Sequence, residues 1–237
     1  MWYKVKRIMV WDKQVRPAGW TPDASRTLLY LPLESNATDY SGNNRTTSAT
    51  SVTYTTVGWV QSAHVWTTWW IIVSPNDFIS HSLNYKTNSV LVYVTSATSS
   101  SRRVIFECAK QNYYHFWWML SENSTNIQFW SNWCGSNTVS WTVANSWLHL
   151  VQTIWDGYIK FYINWTLVDT QTYSTWYAWW NRSNSIEQNM TIFNDRGWVS
   201  DSRWLQWNAR ELIFENILWS AEDVSKYYNR IKGKLGF

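Results

Sequence analysis

Tyr158-Ile159-Lys160-Phe161-Tyr162-Ile163-Asn164-Trp165-Thr166-Leu167-Val168 reads as two strands folded back on a two-residue loop. Ile159, Phe161 and Ile163 share one face, which is the period of a strand with one side buried. A two-residue loop between antiparallel strands favours Asn-Gly, because a type I′ turn needs φ > 0 at both central positions. Asn164 meets that demand, whereas a tryptophan at position 165 does not.

The same anomaly recurs along the chain. Of 237 residues, 22 are Trp and only 8 are Gly. Gly58-Trp59, Trp69-Trp70, Trp179-Trp180 and Gly197-Trp198 sit in small or polar loops, where Gly-Gly is ordinary punctuation. A gene that reads UGA as glycine yields this pattern when it is translated with UGA as tryptophan. Fourteen positions fit that reading: Trp11, Trp59, Trp66, Trp69, Trp70, Trp130, Trp133, Trp141, Trp165, Trp176, Trp179, Trp180, Trp198 and Trp207. They are expected to be exposed, often at φ > 0, with the Trp165 indole in solvent at the second loop position. Trp147, Trp155 and Trp219 are expected to be buried. The rival is a Trp-rich sugar binder whose aromatics form a flat platform.

Outward from the hairpin, short strand-like runs recur with polar turns between them. They cover residues 51–57, 71–73, 90–94, 103–108, 116–120, 126–129, 138–143, 148–154, 190–193 and 209–214. Many short strands at this spacing predict an all-β, jelly-roll-like β-sandwich of two antiparallel sheets over residues 27–215. Residues 1–26 read as a leader and linker, ended by Pro17, Gly19 and Pro22; residues 27–237 form the domain. One helix is expected, at the C-terminus. Ser220 and Asp223 make a capping-box pattern. Val224, Tyr227, Tyr228 and Ile231 then share one face, and Gly233 ends the run.

Charged residues are 15% of the chain, against an ordinary ~25%, and Ser, Thr and Asn take the polar positions. Such a composition suits a virion or an extracellular, cell-surface setting. The net charge of +4 is scattered, which argues against nucleic acid as a partner. Cys108 and Cys134 are too few for a disulfide framework. No apolar run near the N-terminus reads as a signal peptide, and none is long enough for a membrane span. A virion component released by lysis fits these features.

Four segments carry a resemblance. They are residues 29–33 with Asp39-Tyr40-Ser41-Gly42-Asn43; residues 146–151 with Trp155-Asp156-Gly157; the hairpin 158–168; and residues 207–212 with Leu218-Trp219-Ser220-Ala221-Glu222. In this order and spacing the chain resembles the concanavalin A-like lectin/glucanase superfamily, in its laminin-G-like branch. Trp165 and Trp207 stand where that family has glycine. The leader is similar to segments that begin some phage tail and appendage proteins.

Glucanases of this superfamily set carboxylates on one strand as Glu-x-Asp-x-Glu, so that alternation points them into one cleft. No Glu-x-Asp occurs here. Glu107, Glu122, Glu187, Glu211 and Glu215 are expected to be dispersed or salt-bridged, and the chain is read as non-enzymatic. His64, His81, His115 and His149 lack metal-ligand spacing. His149, on a predicted inner strand, is expected to be packed or hydrogen-bonded. No cofactor is expected, with one reservation: the resemblance implies a structural Ca²⁺ at the loop of Asp39 and Asn43. Arg210, where the family has an acid, opposes a cation there and is expected to pair with a carboxylate such as Asp39.

Sugar binding uses aromatic faces with amide, carboxylate and guanidinium groups on loops. Tyr173, Tyr177, Asn181, Arg182 and Asp201 are the candidate ligand-binding residues, because they lie in long loops. The expected function is a non-catalytic glycan-recognition or adhesion module of a virion tail or surface appendage. The alternatives are a structural decoration domain, assembled with further copies or other virion proteins, and a divergent glycan-cleaving enzyme.

Overall fold

The computed structural model describes residues 22–65, 70–74, 86–94, 103–104, 106–107, 117–120, 126–131, 135–141, 145–155, 157–172, 190–192 and 207–235. The described residues form sixteen strands and one helix. The expected all-β sandwich with a C-terminal helix is the observed fold.

Eight strands make the large sheet. They are β1 (Thr27–Leu31), β3 (Thr53–Val57), β4 (Val60–Val65), β6 (Lys86–Val94), β12 (Trp147–Trp155), β13 (Tyr158–Ile163), β14 (Thr166–Thr172) and β16 (Trp207–Glu215). Their order is β14-β13-β12-β6-β16-β4-β3, with β1 also paired to β16. Every pairing is antiparallel.

Two four-stranded sheets complete the strands. One runs β11 (Gly135–Ser140), β10 (Asn126–Ser131), β9 (Trp117–Leu120), β7 (Arg103–Val104). The other runs β2 (Thr46–Thr50), β5 (Trp70–Ser74), β15 (Met190–Ile192), β8 (Phe106–Glu107). Only Ile105 separates β7 from β8, so a single chain segment serves both sheets. Ile71, Val73, Ile127 and Ile192 from these sheets pack into one core with Leu29, Leu31, Val90, Val92, Leu148, Leu150, Phe161, Leu212 and Phe214 of the large sheet. Fully burying one such side chain contributes ~1.5–3 kcal/mol, so this interlayer core dominates the stability.

The opposite face of the large sheet is covered as well. Tyr30, Leu91, Trp147, Val151, Tyr162 and Ile213, the alternate residues of the same strands, pack with Trp219, Val224, Tyr227 and Ile231. The last three belong to α1 (Ala221–Leu235). Burial on both faces is why β12 is buried along nearly its whole length rather than at alternate positions. The helical face expected from the 3.6 period, Val224, Tyr227, Tyr228 and Ile231, is the buried face. The cap is reciprocal. Ser220 Oγ accepts from Asp223 N (3.2 Å), and Asp223 Oδ2 accepts from Ser220 N (2.9 Å) and Oγ (2.7 Å). Ser220→Ala is therefore expected to cost about 1 kcal/mol, read as a lower melting temperature. Gly233 does not end the helix, which runs on to Leu235. One glycine in a last turn costs only about 1 kcal/mol, too little to break a docked helix.

Strand β16 carries a bulge. Its register against β6 shifts between Arg210 and Ile213, and Glu211 sits at φ 54°. Ala209 and Leu212, three apart, both face the interlayer core, which strict alternation forbids. The extra residue puts Arg210 and Glu211 side by side on the face toward α1. It also lets β16 pair with β4 through its first half and with β1 through its second.

The 158–168 hairpin forms as expected, with Ile163 opposite Thr166 and Asn164-Trp165 between them. Asn164 takes positive φ (59°), but Trp165 is not at positive φ. In another two-residue loop, joining β3 to β4, Gly58 takes positive φ (63°) and Trp59 follows it. Trp59 is 86% exposed and Trp165 51%, while Trp147 and Trp219 are 9% and 7% exposed. The expected split in burial thus holds for these four, and the expected positive φ does not hold at the tryptophans. The Trp165 ring is also not simply in solvent, since it lies 4.8 Å from the Tyr228 ring. Trp155 is only half-buried: it ends β12 and stacks flat on Tyr158 at 6.2 Å instead of entering the core. Of the remaining suspected glycines, Trp141 is half-buried, and the others lie outside the described residues or in strands described by backbone alone.

Candidate functional site

The face beneath α1 gathers most of the described buried ionisable groups. Glu211 Oε2 accepts from Tyr30 Oη (2.8 Å) and Tyr227 Oη (3.4 Å). Burial raises the Tyr227 phenol well above its usual pKa, so it stays a donor. Arg210 Nε lies 3.7 Å from Glu211 Oε1. Its Nη1 donates to Gln61 O (2.8 Å), and its Nη2 pairs closely with Glu34. Desolvation lowers the Arg210 pKa, and Glu211 opposes that shift. The expected Arg210–Asp39 pair is therefore corrected, because the carboxylate beside this guanidinium is Glu34. The loop from Leu33, at φ 57°, carries Glu34 to it.

Glu215 lies further along β16. Its carboxylate accepts from Trp219 Nε1 (2.6 Å) and Thr27 Oγ1 (3.3 Å), and Arg26 stands 3.9 Å away. Glu211 and Glu215 are both buried, and each is committed to donors of its own chain. Glu215 lines a cavity beside α1, with its carboxylate engaged by Trp219 and Thr27. Glu122 and Glu187 lie outside the described residues, as does the side chain of Glu107.

His149 is fully buried on β12, on the face toward α1 rather than toward the interlayer core. Its Nε2 is 2.7 Å from Ser89 Oγ, and its ring stacks on Tyr227 at 5.2 Å and on Tyr228 at 6.2 Å. Burial, with Arg230 adding to it, pulls its pKa down to about 3 against the hydrogen bond with Asn164. The ring is neutral at physiological pH, which matches a packed, hydrogen-bonded histidine. His64 pairs with Asn208 Oδ1 at 3.3 Å. His81 and His115 lie outside the described residues.

The Asp39 loop does not fit a calcium ion. Asp39 Oδ1 accepts from Tyr30 N (3.1 Å) and Ser41 N (2.9 Å). Its Oδ2 accepts from Ser41 Oγ (2.9 Å) and Arg45 N (3.1 Å). Asn43 turns its amide nitrogen to Thr27 O (2.7 Å). Four internal donors already fill the carboxylate, so it ties the loop to β1 instead of coordinating a hard cation. Among the described residues no three His, Cys, Asp or Glu side chains cluster as a metal site would require.

Beside α1 lies a cavity of about 280 Å³, lined among others by Arg26, Glu215, Trp219, Lys226, Tyr227 and Arg230. The Arg230 guanidinium lies 4.4 Å over the Tyr227 ring. No sequence signal marked it. Arg26 and Arg230 are 204 positions apart in the chain and meet only because β1 and α1 both dock on β16. The five residues expected to bind ligand, Tyr173, Tyr177, Asn181, Arg182 and Asp201, lie outside the described residues.

No family model matches the chain, and no curated protein matches it in sequence. Solved structures do. The chain is similar to the botulinum neurotoxin serotype D binding domain, with a TM-score of 0.62 and 17% identity, over 87% of this chain and 52% of that one. It is similar to the binding domain of botulinum neurotoxin DC in complex with rat synaptotagmin II, with a TM-score of 0.65 and 14% identity, over 87% and 52%. It is also similar to botulinum neurotoxin type C, whose cell entry depends on interaction with two ganglioside molecules; there the TM-score is 0.62 and the identity 16%, over 87% and 51%. The chain spans about half the length of these structures. At such identities the likeness is one of fold: this chain is a β-sandwich of the kind that these neurotoxin binding domains contain.

Proposed function

We propose that the chain is a non-catalytic recognition module that binds a surface glycan, carried on a virion tail or surface appendage. The observation that carries this reading is the extent of the shared fold. Most of the chain follows binding domains of toxins, one of which enters cells through gangliosides, which are glycan-bearing lipids. The hydrogen bonds that Glu211 and Glu215 accept from their own chain support a non-catalytic role. Four motifs in family order support placement in the laminin-G-like branch.

The proposed ligand contacts are Tyr173, Tyr177, Asn181, Arg182 and Asp201, in the stretches of sequence before and after β15. An aromatic face with a guanidinium and an amide is the usual equipment for a hexose. The test is binding of the full chain to immobilised glycans. Tyr177→Ala and Arg182→Ala are each expected to weaken the retained glycan about tenfold or more, with the melting temperature unchanged. Undiminished binding in both variants would move the site elsewhere. Association only with copies of itself or with other virion proteins would favour the decoration-domain reading.

We also infer that Trp59 and Trp165 stand at glycine codons. Both occupy the second position of two-residue hairpin loops, and both are exposed. The coding DNA decides this: UGA at these two positions and UGG at Trp147 and Trp219 is the expected result, and UGG at all four refutes it.

A further inference from the structure

The two apolar clusters of the fold differ in what builds them. The interlayer core draws on the strands and on the loop after β1. Helix α1 packs on the other face of the large sheet, against Tyr30, Leu91, Trp147, Val151 and Ile213. Lifting α1 therefore uncovers that face and leaves the core between the sheets in place.

His149 stands inside this contact and is fully buried. On the sheet side its Nε2 is 2.7 Å from Ser89 Oγ of β6. On the helix side the rings of Tyr227 and Tyr228 lie over it at 5.2 and 6.2 Å, inclined by 29° and 23°. A tyrosine face ordinarily welcomes a cation. Here each ring already carries one. Arg230 lies 4.4 Å over Tyr227, and Lys232 lies 6.0 Å over Tyr228. An imidazolium would be the third positive charge on this pair of rings. Glu211 is reached through Tyr227 Oη (3.4 Å) and stands 3.7 Å from Arg210 Nε. The hydrogen bond with Asn164 favours the charged ring, but burial outweighs it and Arg230 acts against it.

We infer that α1 is an acid-released strap: protonation of His149 lifts the helix from the large sheet, while the sandwich beneath stays folded. On release the imidazolium regains water, and α1 carries Arg230 and Lys232 away from it. The apolar face of Tyr30, Leu91, Trp147, Val151 and Ile213 is then uncovered. At neutral pH the ring is uncharged and the strap is closed. This device does not depend on the glycan reading.

The test is amide hydrogen exchange of the full chain between pH 7 and pH 5, corrected for the pH dependence of unprotected amides. A helix that opens by itself exchanges without the strands. The α1 amides are therefore expected to be roughly tenfold or more less protected than those of β12 at each pH. Their protection is expected to fall about 25-fold from pH 7 to pH 5, because the released histidine takes up a proton at its ordinary pKa and the docked one does not. His149→Gln and His149→Phe cannot titrate, and the second keeps a ring against the two tyrosines. A thermal melt identifies which variant folds, and in a folded variant the fall is expected to be less than about threefold. The inference is overturned if α1 and β12 are equally protected, if the α1 protection of the wild type does not fall, or if the full fall persists in a folded variant.

Discussion

Replacing Arg210 by methionine is expected to destabilise the fold by about 3–5 kcal/mol, the usual cost of removing one partner from a buried ion pair. Methionine retains much of the apolar stem, so the loss reports the guanidinium. Without it, Glu211 loses the guanidinium 3.7 Å from its carboxylate, Glu34 loses its pairing with Arg210, and Gln61 O loses a donor. In a chain of this length each kcal/mol moves the melting temperature by about 2–4 °C, so a fall on the order of 10 °C should be seen. Arg210→Lys should recover only part of the loss, because an ammonium cannot serve Gln61 O, Glu34 and Glu211 from one planar fork. Urea unfolding measures both variants. A methionine variant within 1 kcal/mol of the wild type, on the order of a surface change, would show that the guanidinium does not hold the bulge to its surroundings.

The second large effect is on acid stability, through His149. Its folded pKa is depressed to about 3 from 6.5. Between these values the unfolded chain takes up a proton that the folded chain refuses. The stability from the neutral, buried ring is thus complete above pH 6.5 and falls as pH drops toward 3. The slope is about 1.4 kcal/mol per pH unit, which accumulates to roughly 5 kcal/mol across the window. Stability measured at pH 7 and pH 5 should therefore differ by about 2 kcal/mol from this group alone. His149→Gln, which keeps an amide near Ser89 and cannot titrate, should be less stable at pH 7 and should lack this slope. Equal slopes in the variant and the wild type would show that the ring is not the acid-sensitive group.

Much of the fold was legible because local signals agreed with the global one. Alternation in 158–163, the Asn164 turn and the Ser220–Asp223 cap each act over a few residues, and each appears in the structure. Two strands escaped for physical reasons. β2 is Thr-Thr-Ser-Ala-Thr, with no apolar period to read, and β4 follows Gly58-Trp59, which reads as punctuation. The bulge at Arg210–Leu212 breaks the two-residue period on which strand reading depends. The site was less legible. Arg210 and Glu34 are 176 positions apart, and the same connection between β1 and β2 offered Asp39 as an equally good partner. Four short donor distances to Asp39 settle that choice, and no pattern of residue types encodes them. The cavity beside α1 is likewise a product of tertiary docking, invisible to any window along the chain.

Incubating the full chain with a glycan array, while following both retention and integrity of each glycan, tests the proposed function most directly. The account predicts saturable retention of at least one surface glycan, which is recovered uncleaved. Failure to retain any glycan, or recovery of a retained glycan as cleaved fragments, would contradict it.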